Sequence, residues 1–113
     1  MPSLNLSTNM SLEGIDTPSI LSEATKSVAK IIGKSEAYVM IILKGSVPMD
    51  FAGKKKPYGE LVSIRGLNPD ANMKLSVVIT TILETKLFVP KSRFFLKFED
   101  TKGSNFRSNG STS

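Results

Sequence analysis

The stretch Tyr38-Val39-Met40-Ile41-Ile42-Leu43 decides how this chain folds. A helix lying on a core interrupts its apolar residues every three or four places, and a strand solvated on one face alternates. An unbroken apolar run of this length reads instead as a strand buried on both faces, the habit of parallel sheets. A parallel neighbour requires a crossover, and the residues upstream supply one. Ile20, Leu21, Ala24, Val28, Ile31 and Ile32 recur at helical spacing. Thr17-Pro18 opens that helix, with Thr17 as N-cap and proline at the first helical position, where no N–H is needed. Gly33 follows as a C-cap that tolerates positive φ. Ahead of the helix, Leu4 to Thr8 alternates apolar and polar, which places a strand over residues 3–8.

The second half repeats the plan. Leu61-Val62-Ser63-Ile64 reads as a strand, and Asn68-Pro69 is again a cap followed by proline. Leu75, Val78, Ile79, Ile82, Leu83 and Leu87 form the stripe of a second helix, and Arg93-Phe94-Phe95-Leu96-Lys97-Phe98 is the closing strand. The chain is thus a single α+β domain over residues 1–113, made of two βαβ units. They form a four-stranded sheet with two helices on one face, each crossover right-handed between parallel strands. The runs 39–43 and 94–98 supply apolar groups to both sheet faces. A face left open would be a larger apolar patch than monomers carry, so association of several copies is expected. Residues 44–58 form a long link. The polar segment 101–113 is either a frayed tail or a hairpin turning at Asn109-Gly110.

Composition removes most chemistries. The 113 residues contain no cysteine, which excludes disulfides, thiol redox chemistry and cysteine nucleophiles, and no histidine, the commonest general base and metal ligand. The ten Asp and Glu residues show no metal-ligand spacing, and the glycines form no phosphate loop. The net charge of +5 favours anionic partners, yet no basic region is interleaved with aromatics as nucleic-acid binding would require. No basic, apolar leader precedes the first strand, and no stretch is long enough to span a bilayer, so a cytoplasmic chain without membrane attachment is expected.

Two readings stand for Pro2. Proline after Met1 can simply permit removal of the methionine and shape the entry to a strand. Once exposed as a terminal secondary amine, it can also act as a general base. Such a group titrates near ~8, and apolar burial or a neighbouring cation lowers that further. Lys34, just after the C-cap, either complements the helix dipole or clamps a carboxylate while depressing the pKa of the base. Lys54-Lys55-Lys56 reads as a solvated loop or as an anion-attracting rim.

Taken together, MPSLNLSTN, LSEATKSVAKIIGKSEAYVMIILKGSVPMDFAG, YGELVSIRGLNPD and VPKSRFFLKFEDTKG resemble the tautomerase superfamily. The family is that of macrophage migration inhibitory factor and D-dopachrome tautomerase, with the plant members nearest. The resemblance runs from Met1 to about Gly110. It implies a homotrimer whose sheets pack around a central axis. It also implies removal of Met1 and keto–enol tautomerisation of aromatic α-keto acids such as phenylpyruvate, with Pro2 as base. Lys34 would bind the substrate carboxylate, helped by the backbone N–H of Ile64. Phe95, Lys97 and Phe106 match positions that line the pocket, partly from the neighbouring subunit. No cofactor or metal is implied, and family members can leave cells without a leader.

The chain also departs from the family pattern. Phe95 replaces a tyrosine whose hydroxyl faces substrate in animal members, and Lys97 replaces a neutral asparagine. Arg65 stands where many relatives are smaller, the CxxC motif of the animal cytokines is absent over Pro57 to Glu60, and Ser108 replaces a tryptophan. Two functions therefore compete: a tautomerase weak on animal-type substrates, and a cytokine-like module that binds a protein receptor with little or no turnover.

Overall fold

β1 (Ser3–Ser7) is the strand around which the rest is arranged. It pairs in parallel with β2 (Met40–Lys44) on one side and antiparallel with β3 (Tyr58–Ile64) on the other. β3 in turn pairs in parallel with β4 (Phe95–Thr101), giving the order β2-β1-β3-β4. The computed structural model describes residues 1–105, 107–108 and 111–112, with side chains through Asn105. Each parallel pair is bridged by a helix, α1 (Thr17–Ile32) and α2 (Pro69–Leu87). The fold is the α+β architecture expected from the sequence. Strands β5 (Arg107–Ser108) and β6 (Ser111–Thr112) pair antiparallel, while Asn109 and Gly110 lie outside the described residues.

Side-chain alternation puts one face of the sheet under the helices. Leu4, Leu6 and Leu61 point into a core completed by Ile20, Ala24 and Val28 of α1 and by Leu75, Ile79, Ile82, Leu83 and Leu87 of α2. Gly59 belongs to that face because Phe94, Leu6 and Leu96 crowd it: a Cβ there would come within 2.8 Å of Phe94 Cζ. Lys86 links the two helices, donating to Ser19 Oγ at 2.9 Å and pairing with Glu23 at 3.3 Å.

Several local expectations are corrected. The cap of α1 is Asp16, not Thr17: its carboxylate accepts the Ser19 N–H at 3.1 Å, and Thr17 is already helical. Pro18 therefore sits at the second helical position rather than the first, still within the turn where no N–H is needed, and Gly33 acts as expected, with φ 80° and its N–H on the Ala29 carbonyl. Asn68 caps α2 through the Ala71 N–H at 2.8 Å. The run 38–43 is not a strand buried on both faces. β2 lies at the sheet edge and is only half-buried, and Tyr38 falls in a 3-10 turn, Glu36–Tyr38, capped by Ser35. β4 starts at Phe95, because Arg93 closes another 3-10 turn.

The open face also differs from expectation. It presents Ser3, Asn5, Ser7, Glu60, Lys97 and Glu99 among Met40, Ile42, Val62, Ile64 and Phe95. It is a mixed surface rather than a continuous apolar one, because the inward parity of β1 and β4 takes most of their apolar residues to the helices. Among the described residues no helix is long and apolar enough to cross a membrane.

Candidate active site

The amino-terminal end of β1 is held from both sides. Ser3 lies opposite Met40 and Val62, and the Pro2 carbonyl accepts the Met40 N–H at 3.0 Å. Proline fits the start of a central strand because no ladder donor is required there. Pro2 is less than 2% exposed. The terminal amine just beyond it, on Met1, titrates below the ordinary α-amino value, first because burial disfavours its charged form and second because Lys34 is close.

Lys34 owes its position to the end of α1. Its N–H and that of Gly33 both reach the Ala29 carbonyl, at 3.0 and 2.9 Å, and the left-handed Gly33 turns the chain out of the helix axis. Ile64 is the last residue of β3, whose antiparallel partner β1 begins beside it. Two left-handed residues follow, Arg65 (φ 66°) and Gly66 (φ 84°). The Arg65 carbonyl accepts the hydroxyl of fully buried Ser63 at 2.7 Å, and its N–H donates to Asp100 Oδ1 at 3.1 Å. Gly66 packs on Ile32, where a Cβ would come within 2.6 Å of Ile32 Cγ2. That close approach holds the β3 exit against the α1 terminus.

A cleft of about 650 Å³ opens where these ends meet, lined by Met1, Lys34, Tyr38, Ile64 and Arg65 with small residues between them. This volume lies within the range of small-molecule sites. Three of the expected residues, Pro2, Lys34 and Ile64, thus converge at or directly behind one cleft. Tyr38 lines the cleft although the apolar run 38–43 reads as strand, which hides it from a sequence-based choice of site residues. The Ser35-x-Ala37 cap, with the Ala37 N–H on Ser35 Oγ, was the signal for the turn that places it there.

Phe95 and Lys97 lie elsewhere. Phe95 is opposite Tyr58, at the other end of β3 from Ile64, about 20 Å away along the strand. Lys97 is opposite Glu60 on the open face. Within one chain neither reaches the cleft. Phe95 instead meets Phe51 edge to face, with ring centres 4.9 Å apart, and Lys56 Nζ stands 4.0 Å from the centre of Phe95 and 5.0 Å from that of Phe51. Lys56 is therefore half-buried on aromatic faces, unlike the solvated lysine expected of that loop. Phe106 lies outside the described residues.

A proline-led central strand, a mixed sheet with both helices on one face, and a cation-lined cleft at the first helix's end together define a recognisable class. The family model described as macrophage migration inhibitory factor (MIF) matches residues 1–113. A macrophage migration inhibitory factor homolog of Trichuris trichiura is 32% identical over 114 residues, covering 99% of each chain. One from Brugia malayi is 33% identical over 99% of this chain and 98% of its own. The crystal structure of the homologue from Prochlorococcus marinus superposes with a TM-score of 0.91 at 31% identity, over 97% of each chain. The structure of the macrophage migration inhibitory factor from Trichinella spiralis gives 0.88 at 28% identity, over 98% of this chain and 99% of the other. The chain belongs to the macrophage migration inhibitory factor family.

Proposed function

We propose that this protein is a tautomerase that interconverts the keto and enol forms of aromatic α-keto acids of the phenylpyruvate type, with Pro2 as general base after removal of Met1. Convergence of the amino-terminal end of β1, Lys34 and the Ile64 turn on one cleft supports this reading most directly. Pro2 is more deeply buried than Met1, so the influences that lower the Met1 pKa would act on a terminal Pro2 amine as well. The neutral nitrogen takes a proton from one end of the conjugated system and the resulting ammonium returns it at the other. Lys34 holds the carboxylate and the Ile64 N–H assists at the same end.

The working form is a homotrimer in which Phe95, Lys97 and Phe106 line the pocket, with Phe95 and Lys97 supplied by the neighbouring subunit. The separation of Phe95 and Lys97 from the cleft within one chain supports that arrangement. The same reading carries a cytosolic protein that can also be exported. A second reading, a receptor-binding module with little turnover, draws support from Phe95: stacked under Lys56 and against Phe51, it offers substrate a face already occupied by a cation.

Ultraviolet assay of phenylpyruvate tautomerisation separates the two readings, comparing the processed protein, Pro2→Ala and a form that retains Met1. General-base catalysis is worth about 10²-fold or more, so the Met1-retaining form should lose at least that factor, with Pro2→Ala, a primary amine, in between. Equal rates in all three exclude Pro2 as the base.

A further inference from the structure

Lys34 is not the only cation on the cleft. Arg65 lines it as well, and several independent contacts hold Arg65 there. Its backbone occupies the left-handed region that non-glycine residues rarely adopt. Ser63 and Asp100 fix its carbonyl and its N–H. Gly66, pressed on Ile32, holds the turn against the helix end that carries Lys34. An arginine kept in an unfavourable conformation by its surroundings is more informative than one on a free loop. Among the described residues the cleft lining carries no carboxylate that would neutralise either cation. Asp100 lies near Arg65, but its carboxylate accepts the backbone N–H, and the ion pairs among described side chains involve neither Arg65 nor Lys34.

One lysine suffices for the single carboxylate of phenylpyruvate. A guanidinium adds a planar fork matched to a second carboxylate. We propose that Arg65 is a specificity-determining residue, and that the cleft prefers α-keto acids carrying a second anionic group, bound between Lys34 and Arg65. The proposal rests on this cleft being the substrate site described above. It also predicts weak activity on monoanionic animal-type substrates, since a lone carboxylate leaves one of the two cations unmatched.

Calorimetric binding of unreactive probes tests it: phenylacetate against 3- and 4-carboxyphenylacetate, on the wild type, Arg65→Gly and Arg65→Asn. Both replacements tolerate left-handed backbone, so the turn is preserved. The wild type should bind at least one of the dianions about tenfold more tightly than phenylacetate. Both variants should bring that preference to within about threefold while their phenylacetate affinity stays within about threefold of wild type. Equal affinity for all three probes in the wild type, or a preference that survives in both variants, overturns the proposal. Turnover of the corresponding enols is measured alongside. Dianion preference without turnover supports the role of Arg65 and removes only the tautomerase reading. Turnover without preference removes only the role of Arg65.

Discussion

Gly66 does the work of a hinge pin. At φ 84° an L side chain is strained, and a Cβ would press to 2.6 Å from Ile32 Cγ2, so the residue can be only glycine without a shift of the β3 exit. Gly66→Ala should destabilise the fold by about 2 kcal/mol in urea titration, a sum of backbone strain and displaced packing. Because the same contact sets Lys34 against Arg65, the variant should also weaken binding of carboxylate ligands. Single residues were the most legible level of the site in the sequence. Pro2 and Lys34 stand out as candidates from a proline after methionine and a cation after a helix-ending glycine, whereas Ile64 enters only through the family resemblance. The left-handed geometry of Arg65 does not stand out, since nothing in its type announces φ 66°. That conformation is imposed by Ser63 and Asp100, the second of them 35 residues away.

The helices were legible as elements because their signals are local. Stripe, proline and C-cap all lie within the segment they define. The shift of the α1 cap from Thr17 to Asp16 shows the limit: both side chains can cap, and the one whose oxygen meets the Ser19 N–H wins. Asn68→Ala removes the corresponding bond on α2 and should cost about 1 kcal/mol of stability, read as a lower denaturation midpoint at unchanged slope. Strand β2 was misread in burial for a non-local reason. An apolar run records that a segment meets apolar groups but not which, and the sheet order puts β2 at an edge. Its inner parity, Ile41 and Leu43, packs on the core while Met40 and Ile42 face outward.

At the scale of the whole molecule the expected site residues lie at opposite ends of the sheet. The antiparallel joint between β1 and β3 puts the Pro2 end beside Ile64, and the parallel joint between β3 and β4 leaves Phe95 at the opposite edge. No reading of one chain's periodicity could bring those ends together, because the distance is closed by a second copy or not at all. Sedimentation at micromolar concentration should therefore show a trimer. A stable monomer would leave Phe95 and Lys97 without a cleft to serve.

The mixed open face makes such an assembly depend on complementary polar contacts as well as apolar ones, so high salt should loosen it. Reactivity depends on the same geometry. The Pro2 amine must be neutral to accept a proton, and under the proposed function the burial and Lys34 charge that lower the Met1 amine act on it too, so activity should persist at pH values where an ordinary α-amino group is charged. Stability of the form that retains Met1 should also rise with pH across the interval between the lowered folded value and the ordinary unfolded one, since there the unfolded chain binds more protons. The most direct measurement is an NMR titration of the Pro2 nitrogen in the processed protein and in Lys34→Ala. The expected result is a pKa below that of an unburied terminal proline, moving upward when Lys34 is removed. An ordinary value, the same in both proteins, would contradict the account.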